Sequence, residues 1–422
     1  MITATATDPN NNTSEFSACA FAPLTNTIQF NVSTLSVGEG TPSTNITVNR
    51  FGDTSAAATV QYTTSDNAGS QACNVFNGNA SSRCDYLITL GTLQFAANET
   101  SKTITLSLFD DSYKEGDETF FLKLSNATGA TLGSPDTVTI TITDNDSATG
   151  PNNPLDQTGF FVRAHYLDFL NREPDNNGFP FWTGNIDNCS PKPSCTQVQR
   201  INTSAAFFLS IELQQTGYLV ERFYKAAYGD VTGNSTLNGA HTLAVPKVRF
   251  IEFLTDTQRV QRGVVVNQGN WQQQLENNKQ AYAGEFVQTT RFITAFPTTM
   301  TPSQFVNKLF DNAGLPHSGN DYTTSINFFN GAADTTNTTA RAQAVRQVAE
   351  NTTLFSAEFN RAFVLAEYFG YLRRNPDDPQ DSDYTGFDFW LTKLNQFNGD
   401  YLASEMVKAF ISSSEYRQRF GP

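Results

Sequence analysis

Five carboxylates fall within eleven residues at Asp110-Asp111-Ser112-Tyr113-Lys114-Glu115-Gly116-Asp117-Glu118-Thr119-Phe120. Two like charges about 4 Å apart repel by roughly 4 kcal/mol at an effective dielectric near 20, so a turn this acidic is costly to fold bare. A bound cation removes that cost. Carboxylates with no His or Cys among them select a hard cation, and a flexible set of oxygens suits Ca²⁺ better than the strict octahedron of Mg²⁺. The competing reading is a solvated acidic turn that binds nothing, the usual fate of a charge run.

The elements that must hold this run are strands. Before it, Ile104, Leu106 and Leu108 alternate with Thr103, Thr105 and Ser107; after it, Phe120, Leu122 and Leu124 alternate with Phe121, Lys123 and Ser125. That period of two marks half-buried strands and makes the acidic run the turn of a hairpin. Similar short runs, separated by Gly, Asn and Asp, occupy 28–37, 44–50, 58–64, 91–95 and 137–143. Seven short strands so spaced predict a β-sandwich. The last runs directly into Asp144-Asn145-Asp146, a second acidic cap.

Taken together, Ser36-Val37-Gly38-Glu39-Gly40, Cys84-Asp85-Tyr86, Gly91-Thr92-Leu93-Gln94-Phe95, Glu99-Thr100-Ser101-Lys102-Thr103-Ile104, the acidic block and Thr143-Asp144-Asn145-Asp146 resemble a Calx-beta domain over about 120 residues, in order. The resemblance implies a seven-stranded, immunoglobulin-like sandwich of the kind found in sodium/calcium exchangers and bacterial surface and adhesion proteins, with calcium bound at one end. By position it implies Glu39, Asp85, Asp110, Asp111, Glu115, Glu118, Asp144 and Asp146 as the metal ligands. Asp111, Glu115 and Glu118 come from one turn and Glu39, Asp85 and Asp144 from elsewhere, so a cation would staple separate strands together. Two departures bear on the site. Ser112 stands where some relatives have a further acid, and the segment 65–83 is longer than the family's usual loop, which could displace Asp85.

A chain of 422 residues is too long for one core and suggests two to four domains. Residues 1–150 hold 15 Asp and Glu against 5 Lys and Arg, leaving 26 against 22 for the rest of a chain at net −14. With no basic stripe, a nucleic-acid or anionic-membrane partner is excluded by charge, and no apolar run approaches a membrane span. Cysteines stand at 19, 73, 84, 189 and 195, and the three histidines at 165, 241 and 317 are scattered, so zinc spacing is absent. Cys73 with Cys84 and Cys189 with Cys195 each bracket a short polar loop, as local disulfides in a secreted protein do. Cys19 is then the odd one, either a free thiol or an intermolecular link. Its surroundings, residues 1–25, read either as a leader or as a strand-forming arm that pairs with a sheet edge in another copy.

After a linker at 149–156 the pattern changes to three- and four-residue apolar spacing, the mark of helices. Phe161 to Leu170, Arg172-Glu173-Pro174-Asp175 and Gly178-Phe179-Pro180-Phe181-Trp182 return as Phe363 to Leu372, Arg374-Asn375-Pro376-Asp377 and Gly386-Phe387-Asp388-Phe389-Trp390, with six extra residues in the second loop. A later echo pairs Ala206 to Leu213 with Ala409 to Tyr416. This pattern resembles the bacterial domain of unknown function 4214, a family that brings no activity with it. Asp175 and Asp377 read as helix N-caps, and Trp182 and Trp390 as core anchors, with sugar stacking as the alternative. No nucleophile elbow, phosphate loop or catalytic carboxylate pair stands out, so no enzyme is expected.

The expected protein is multidomain. An N-terminal arm (1–25) and an all-β immunoglobulin-like sandwich (26–148) precede the linker; an all-α helical repeat region follows, with a first repeat at 157–228, a helical middle at 229–355 and a second repeat at 356–422. Its expected function is that of a secreted, calcium-binding structural or adhesion protein of a bacterial cell surface or matrix. Its expected partners are copies of itself in a filament or layer, or other surface proteins and glycans. The alternative is a carbohydrate-binding accessory protein of a polysaccharide-degrading system, distinguished by exposed tryptophans at 182, 271 and 390.

Overall fold

The computed structural model describes residues 5–13, 25–69, 73–148, 150 and 152–422. Nine strands build the β part: β1 (Thr27–Phe30), β2 (Thr34–Gly38), β3 (Ser43–Phe51), β4 (Ala58–Ser65), β5 (Leu90–Phe95), β6 (Ser101–Ser107), β7 (Glu118–Thr128), β8 (Thr131–Leu132) and β9 (Thr137–Thr143). They form a four-stranded sheet, β6-β3-β1-β8, and a five-stranded sheet, β2-β9-β7-β4-β5. Alternation decides which side chains meet between the sheets. Ile28, Val48, Val60, Phe120, Leu122, Leu124, Val138 and Ile140 are fully buried, while Thr103 and Thr105 on β6 stay exposed.

Two expectations about the strands are corrected. The run 28–37 is not one strand: the chain breaks between Phe30 and Thr34, and β1 pairs with β3 in one sheet while β2 pairs in parallel with β9 in the other. Nor is the acidic run a hairpin turn. β6 pairs with β3, and β7 with β4 and β9, so residues 108–117 cross from one sheet to the other. Period-two alternation reports burial of one face and says nothing of the partner strand.

The remainder is mostly helical: α1 (Thr158–Leu170), α2 (Gly178–Asp187), α3 (Pro193–Phe208), α4 (Ile211–Gln215), α5 (Gly217–Tyr228), then strands β10 (Asp230–Ser235) and β11 (His241–Pro246), α6 (Phe250–Gln261), α7 (Trp271–Phe286), α8 (Thr290–Ala295), α9 (Pro302–Ala313), α10 (Asn320–Asn327), α11 (Thr338–Ala349), α12 (Thr352–Glu367), α13 (Thr385–Gln396), α14 (Met406–Ile411) and α15 (Ser414–Arg417). The antiparallel hairpin β10–β11 corrects the all-α expectation and places His241 on a strand. Its turn carries Asn238-Gly239, both at positive φ, the residues such a turn requires.

The two similar segments make matching contacts. Arg172 is bidentate to Glu212, and Arg374 to Glu415. A Cβ added to Gly178 would stand 2.0 Å from the Tyr166 hydroxyl, and one added to Gly386 2.3 Å from that of Tyr368. The expected N-caps are corrected: the residues preceding α2 and α13 are Asn177 and Tyr384, neither with a side-chain cap bond, and Asp175 sits two residues further back, where it accepts from the Gly178 amide at 2.9 Å. Asp377 instead pairs with Arg249, and Asp381, from the six-residue insertion, meets Arg374 at 2.8 Å. Trp182, Trp271 and Trp390 are half-buried and packed on the helical core.

The β and helical parts share that core. Leu87 and Phe109 of the sandwich belong to the same apolar cluster as α1, α5 and α12. Arg419 is wholly buried at the junction, bidentate to Asp168 at 3.0 Å and donating also to the carbonyls of Arg83 and Tyr371. Both expected disulfides, Cys73–Cys84 and Cys189–Cys195, are formed. Residues 5–13 are exposed, with Thr7 bridged to Thr13; the rest of the expected arm, Cys19 included, lies outside the described residues.

Candidate metal centre

Strand pairing assembles the acidic end. Because β2 and β9 run parallel in register, Gly38 opposite Thr143, their exits lie side by side. Glu39 continues that pairing, its amide donating to the Thr143 carbonyl at 3.0 Å, and so meets Asp144 and Asp146. Gly40 leaves room for the Asn145 side chain, whose Nδ2 a Cβ there would meet at 2.8 Å. Ligand oxygens of Glu39, Asp144 and Asp146 lie within 4.8 Å of one another.

A second group forms beside it from Asp85, Glu115 and Glu118, again with one oxygen each within 4.8 Å. Glu118 opens β7. Asp85 is fixed by its neighbours: Tyr86 stacks on Phe120 at 3.9 Å, the Phe109 amide donates to the Asp85 carbonyl, and Asp85 Oδ2 accepts from the Ser81 amide at 2.5 Å. The long segment 65–83 therefore does not displace Asp85. Its disulfide closes it, and the Ala80 amide ties it to the Thr119 carbonyl at the head of β7.

Six of the eight expected ligands thus converge in two groups. Asp111 stands between them, buried, its amide donating to Glu39 Oε1 at 3.0 Å and its own Oδ1 accepting from the Tyr113 amide at 2.7 Å. Asp110 lies exposed at the rim and accepts from Asn145 Nδ2. The crossover is shaped around these acids: Asp144 Oδ2 takes the amides of Glu115 and Gly116. Sequence reading passed over Asp66, which accepts from the Tyr86 hydroxyl at 2.6 Å and from the Ser82 amide. The available signal was its place directly after β4, another acid at a strand exit.

The electrostatics are those of acids held too close together. Burial, then the charge of Asp85, pushes Glu115 up to about 10. Burial and Asp85 likewise raise Glu118 to about 9; Glu39 is raised to about 7, chiefly by burial and in part by Asp110. Asp85 is raised to about 6 by burial, against the hydrogen bond from Ser81. Asp111 is raised by burial and by Glu115 and Glu39. Near neutral pH the metal-free centre therefore holds protons that a divalent cation would displace.

The residues fit a hard cation. Every side-chain donor in the two groups is a carboxylate oxygen, and each group contains one buried oxygen with no hydrogen-bond partner, Asp85 Oδ1 in one and Asp146 Oδ2 in the other. Each of these oxygens has its lone pairs free to coordinate a cation.

Residues 25–146 match the family model of the Calx-beta domain. The chain is 34% identical over 119 residues to sodium/calcium exchanger 1 of Bos taurus, a match covering 24% of this chain and 11% of the exchanger. It is 42% identical over 69 residues to adhesion G-protein coupled receptor V1 of Danio rerio, covering 16% of this chain and 1% of the receptor. Among solved structures, the calcium binding domain CBD12 of CALX1.1 is similar at 28% identity and a TM-score of 0.25, covering 28% of this chain and 46% of that one. The chain therefore spans about a tenth or less of the length of these curated relatives.

Proposed function

With residues 25–146 a Calx-beta domain, a calcium-binding type of domain, we propose that this protein is a calcium-stabilised structural or adhesion protein of a bacterial surface or matrix, without catalytic activity. The observation that carries the calcium reading is the pair of three-carboxylate groups, each with a buried unpartnered oxygen. Glu39, Asp144 and Asp146 would hold one ion and Asp85, Glu115 and Glu118 a second, with Asp111 between them. Calcium at these points neutralises the repulsion among strand exits and joins β2, β7, β9 and the crossover into one rigid end. An extracellular setting is supported by the two disulfides, and no helix among the described residues is long and apolar enough to cross a membrane.

Self-assembly belongs to the same proposal. β6 is an edge strand of its sheet, and residues 1–13 carry the Thr-alternating sequence of a strand that could pair with such an edge in another copy. The match of Arg–Glu and Gly–Tyr contacts in the two helical segments supports their reading as repeats of the type resembling domain 4214. One experiment tests both parts: calorimetric calcium titration and sedimentation of the full chain and of a chain lacking residues 2–15. Calcium binding is expected in both and large assemblies in the full chain alone. Absence of calcium heat refutes the metal reading, and assemblies that survive the deletion refute the arm.

A further inference from the structure

The acidic crossover has a second side. Opposite its carboxylates, Ser112 donates from its amide to the Phe420 carbonyl at 3.0 Å and from Oγ to the same oxygen at 3.2 Å, and the Tyr113 hydroxyl donates to the Gln418 carbonyl at 3.2 Å. Phe420 is fully buried against Phe109, Phe160 and Tyr416. Asn153, from the segment joining the two parts, donates to the carbonyls of Arg417 and Gly421. The C-terminal segment that carries Phe420 also reaches the loop of the other metal group. Arg419 Nε donates to the Arg83 carbonyl at 2.9 Å, and Arg83 itself pairs with Glu415 at 2.6 Å, two residues before Asp85.

We infer that residues 415–421 of the helical part are a positioning element of the metal centre, so that cation binding and docking of the helical part onto the sandwich strengthen one another. The inference rests on the calcium reading and adds residues to it that lie far from the sandwich in sequence. The backbone at Ser112 is tied to Phe420 through its amide, and the Ser112 and Tyr113 hydroxyls add bonds to Phe420 and Gln418, so a shift of 111–113 strains all three. Asp111 lies one residue from Ser112 and two from Tyr113. Asp85 is held on the other flank by a loop whose Arg83 is clasped twice by the same segment. A cation that draws Asp111 and Asp85 inward thus selects the backbone positions that segment 415–421 already fits, and by thermodynamic reciprocity the docked segment raises cation affinity by the same factor. The helical part would then be rigidly mounted when calcium is present and loosened when it is absent.

The test uses the full chain. Calcium affinity is measured by calorimetry for the unaltered protein, Tyr113→Phe, Phe420→Ala and Phe420→Leu, with metal-free melting and circular dichroism as the check on folding. Tyr113→Phe deletes one hydrogen bond and keeps the ring, and affinity is expected to fall about two- to fivefold if that bond is coupled to binding. Phe420→Ala is expected to weaken binding by about tenfold, within the range for contacting residues, with most of the loss restored in Phe420→Leu. Hydrogen exchange in 415–421 should slow on adding calcium to the unaltered chain. Equal affinities in the unaltered chain and Tyr113→Phe, with exchange in 415–421 indifferent to calcium, overturn the coupling while leaving the calcium site intact. No calcium binding in the unaltered chain overturns both.

Discussion

Metal-free protein should lose stability as pH rises through the raised carboxyls, and calcium should offset more of that loss at pH 8 than at pH 5. Without metal, Asp85, Glu39, Glu115 and Glu118 all titrate above their ordinary values, so between about pH 4 and their raised values the folded state holds more protons than the unfolded chain. Stability from these groups is complete below the unfolded values and falls as pH rises. Asp85 alone, moved from 3.8 to about 6, contributes a loss of about 1 to 2 kcal/mol between pH 5 and pH 8. The other three act in the same direction. For a domain of this size that lowers the melting temperature by roughly 5 °C or more. Asp156, Asp175 and Asp230 are held below their ordinary values, Asp156 first by its hydrogen bond to Arg417 and the other two by partners that outweigh burial, and they remain ionised at pH 5; His165 opposes the fall, since burial lowers it to about 3 and it stays neutral in the fold while the unfolded imidazole charges below about pH 6.5, so its contribution rises with pH. Calcium at a hundred times its dissociation constant adds about 2.7 kcal/mol. It must displace protons at pH 5 and fewer at pH 8, so at one fixed calcium concentration the rise in melting temperature that calcium gives should be larger at pH 8. Scanning calorimetry at both pH values, with chelator and with calcium, reads the four melting temperatures, and hydrogen exchange of β7 assigns the transition to the sandwich. A change in melting between pH 5 and pH 8 in chelator that is the same in the unaltered chain and in a Glu115→Gln, Glu118→Gln chain, which share His165, would refute the account of the raised carboxyls.

Two substitutions test the helical part and its junction. Gly178→Ala places a methyl group against the Tyr166 hydroxyl and should cost about 1 to 3 kcal/mol in chemical denaturation; adding Tyr166→Phe should recover much of it, and no recovery would show that the glycine serves another purpose. Arg419→Met leaves Asp168 buried without its bidentate partner and should destabilise by about 3 to 5 kcal/mol, whereas Arg419→Met with Asp168→Leu should regain most of that in the same assay.

The sandwich was legible in sequence because each strand alternates and several of the acids, Glu39, Glu118 and Asp144 among them, sit at strand ends. The positions 39, 85, 115, 118, 144 and 146 look unrelated along the chain, and a sandwich with its exits at one end is what gathers them. The partner strands were less legible. Ile104 and Phe120 flank the acidic run as a hairpin's strands would, yet each pairs within its own sheet, a choice made by packing of the whole domain. The β10–β11 hairpin did leave a mark, Asn238-Gly239 between Leu237 and His241, but Gly, Asn and Thr around it read equally well as an irregular loop. Nothing local announced Arg419: a lone arginine after a short helix becomes the centre of the junction because Asp168 and three carbonyls converge on it from distant segments.

The exchange of Asp377 for Asp381 shows how far a repeated sequence constrains repeated geometry. Arg172 and Arg374 face the same requirement: a guanidinium bidentate to a glutamate, over a tyrosine ring, with donors left for a second acid. In the first segment Asp175 lies three residues on and satisfies it, though at 3.5 Å. In the second, six inserted residues lift the loop, and Asp377 is drawn to Arg249 on the loop leading into α6, at 2.7 Å. The acid that serves Arg374 is then Asp381, close to Gly386 as Asp175 is close to Gly178. What is kept is the contact of arginine, glutamate, tyrosine and glycine, and the aligned position of the acid is not. A residue carried over by spacing is therefore safest where strand register or helix pitch fixes its place, as at Glu39 and Asp144, and least safe across a loop whose length has changed.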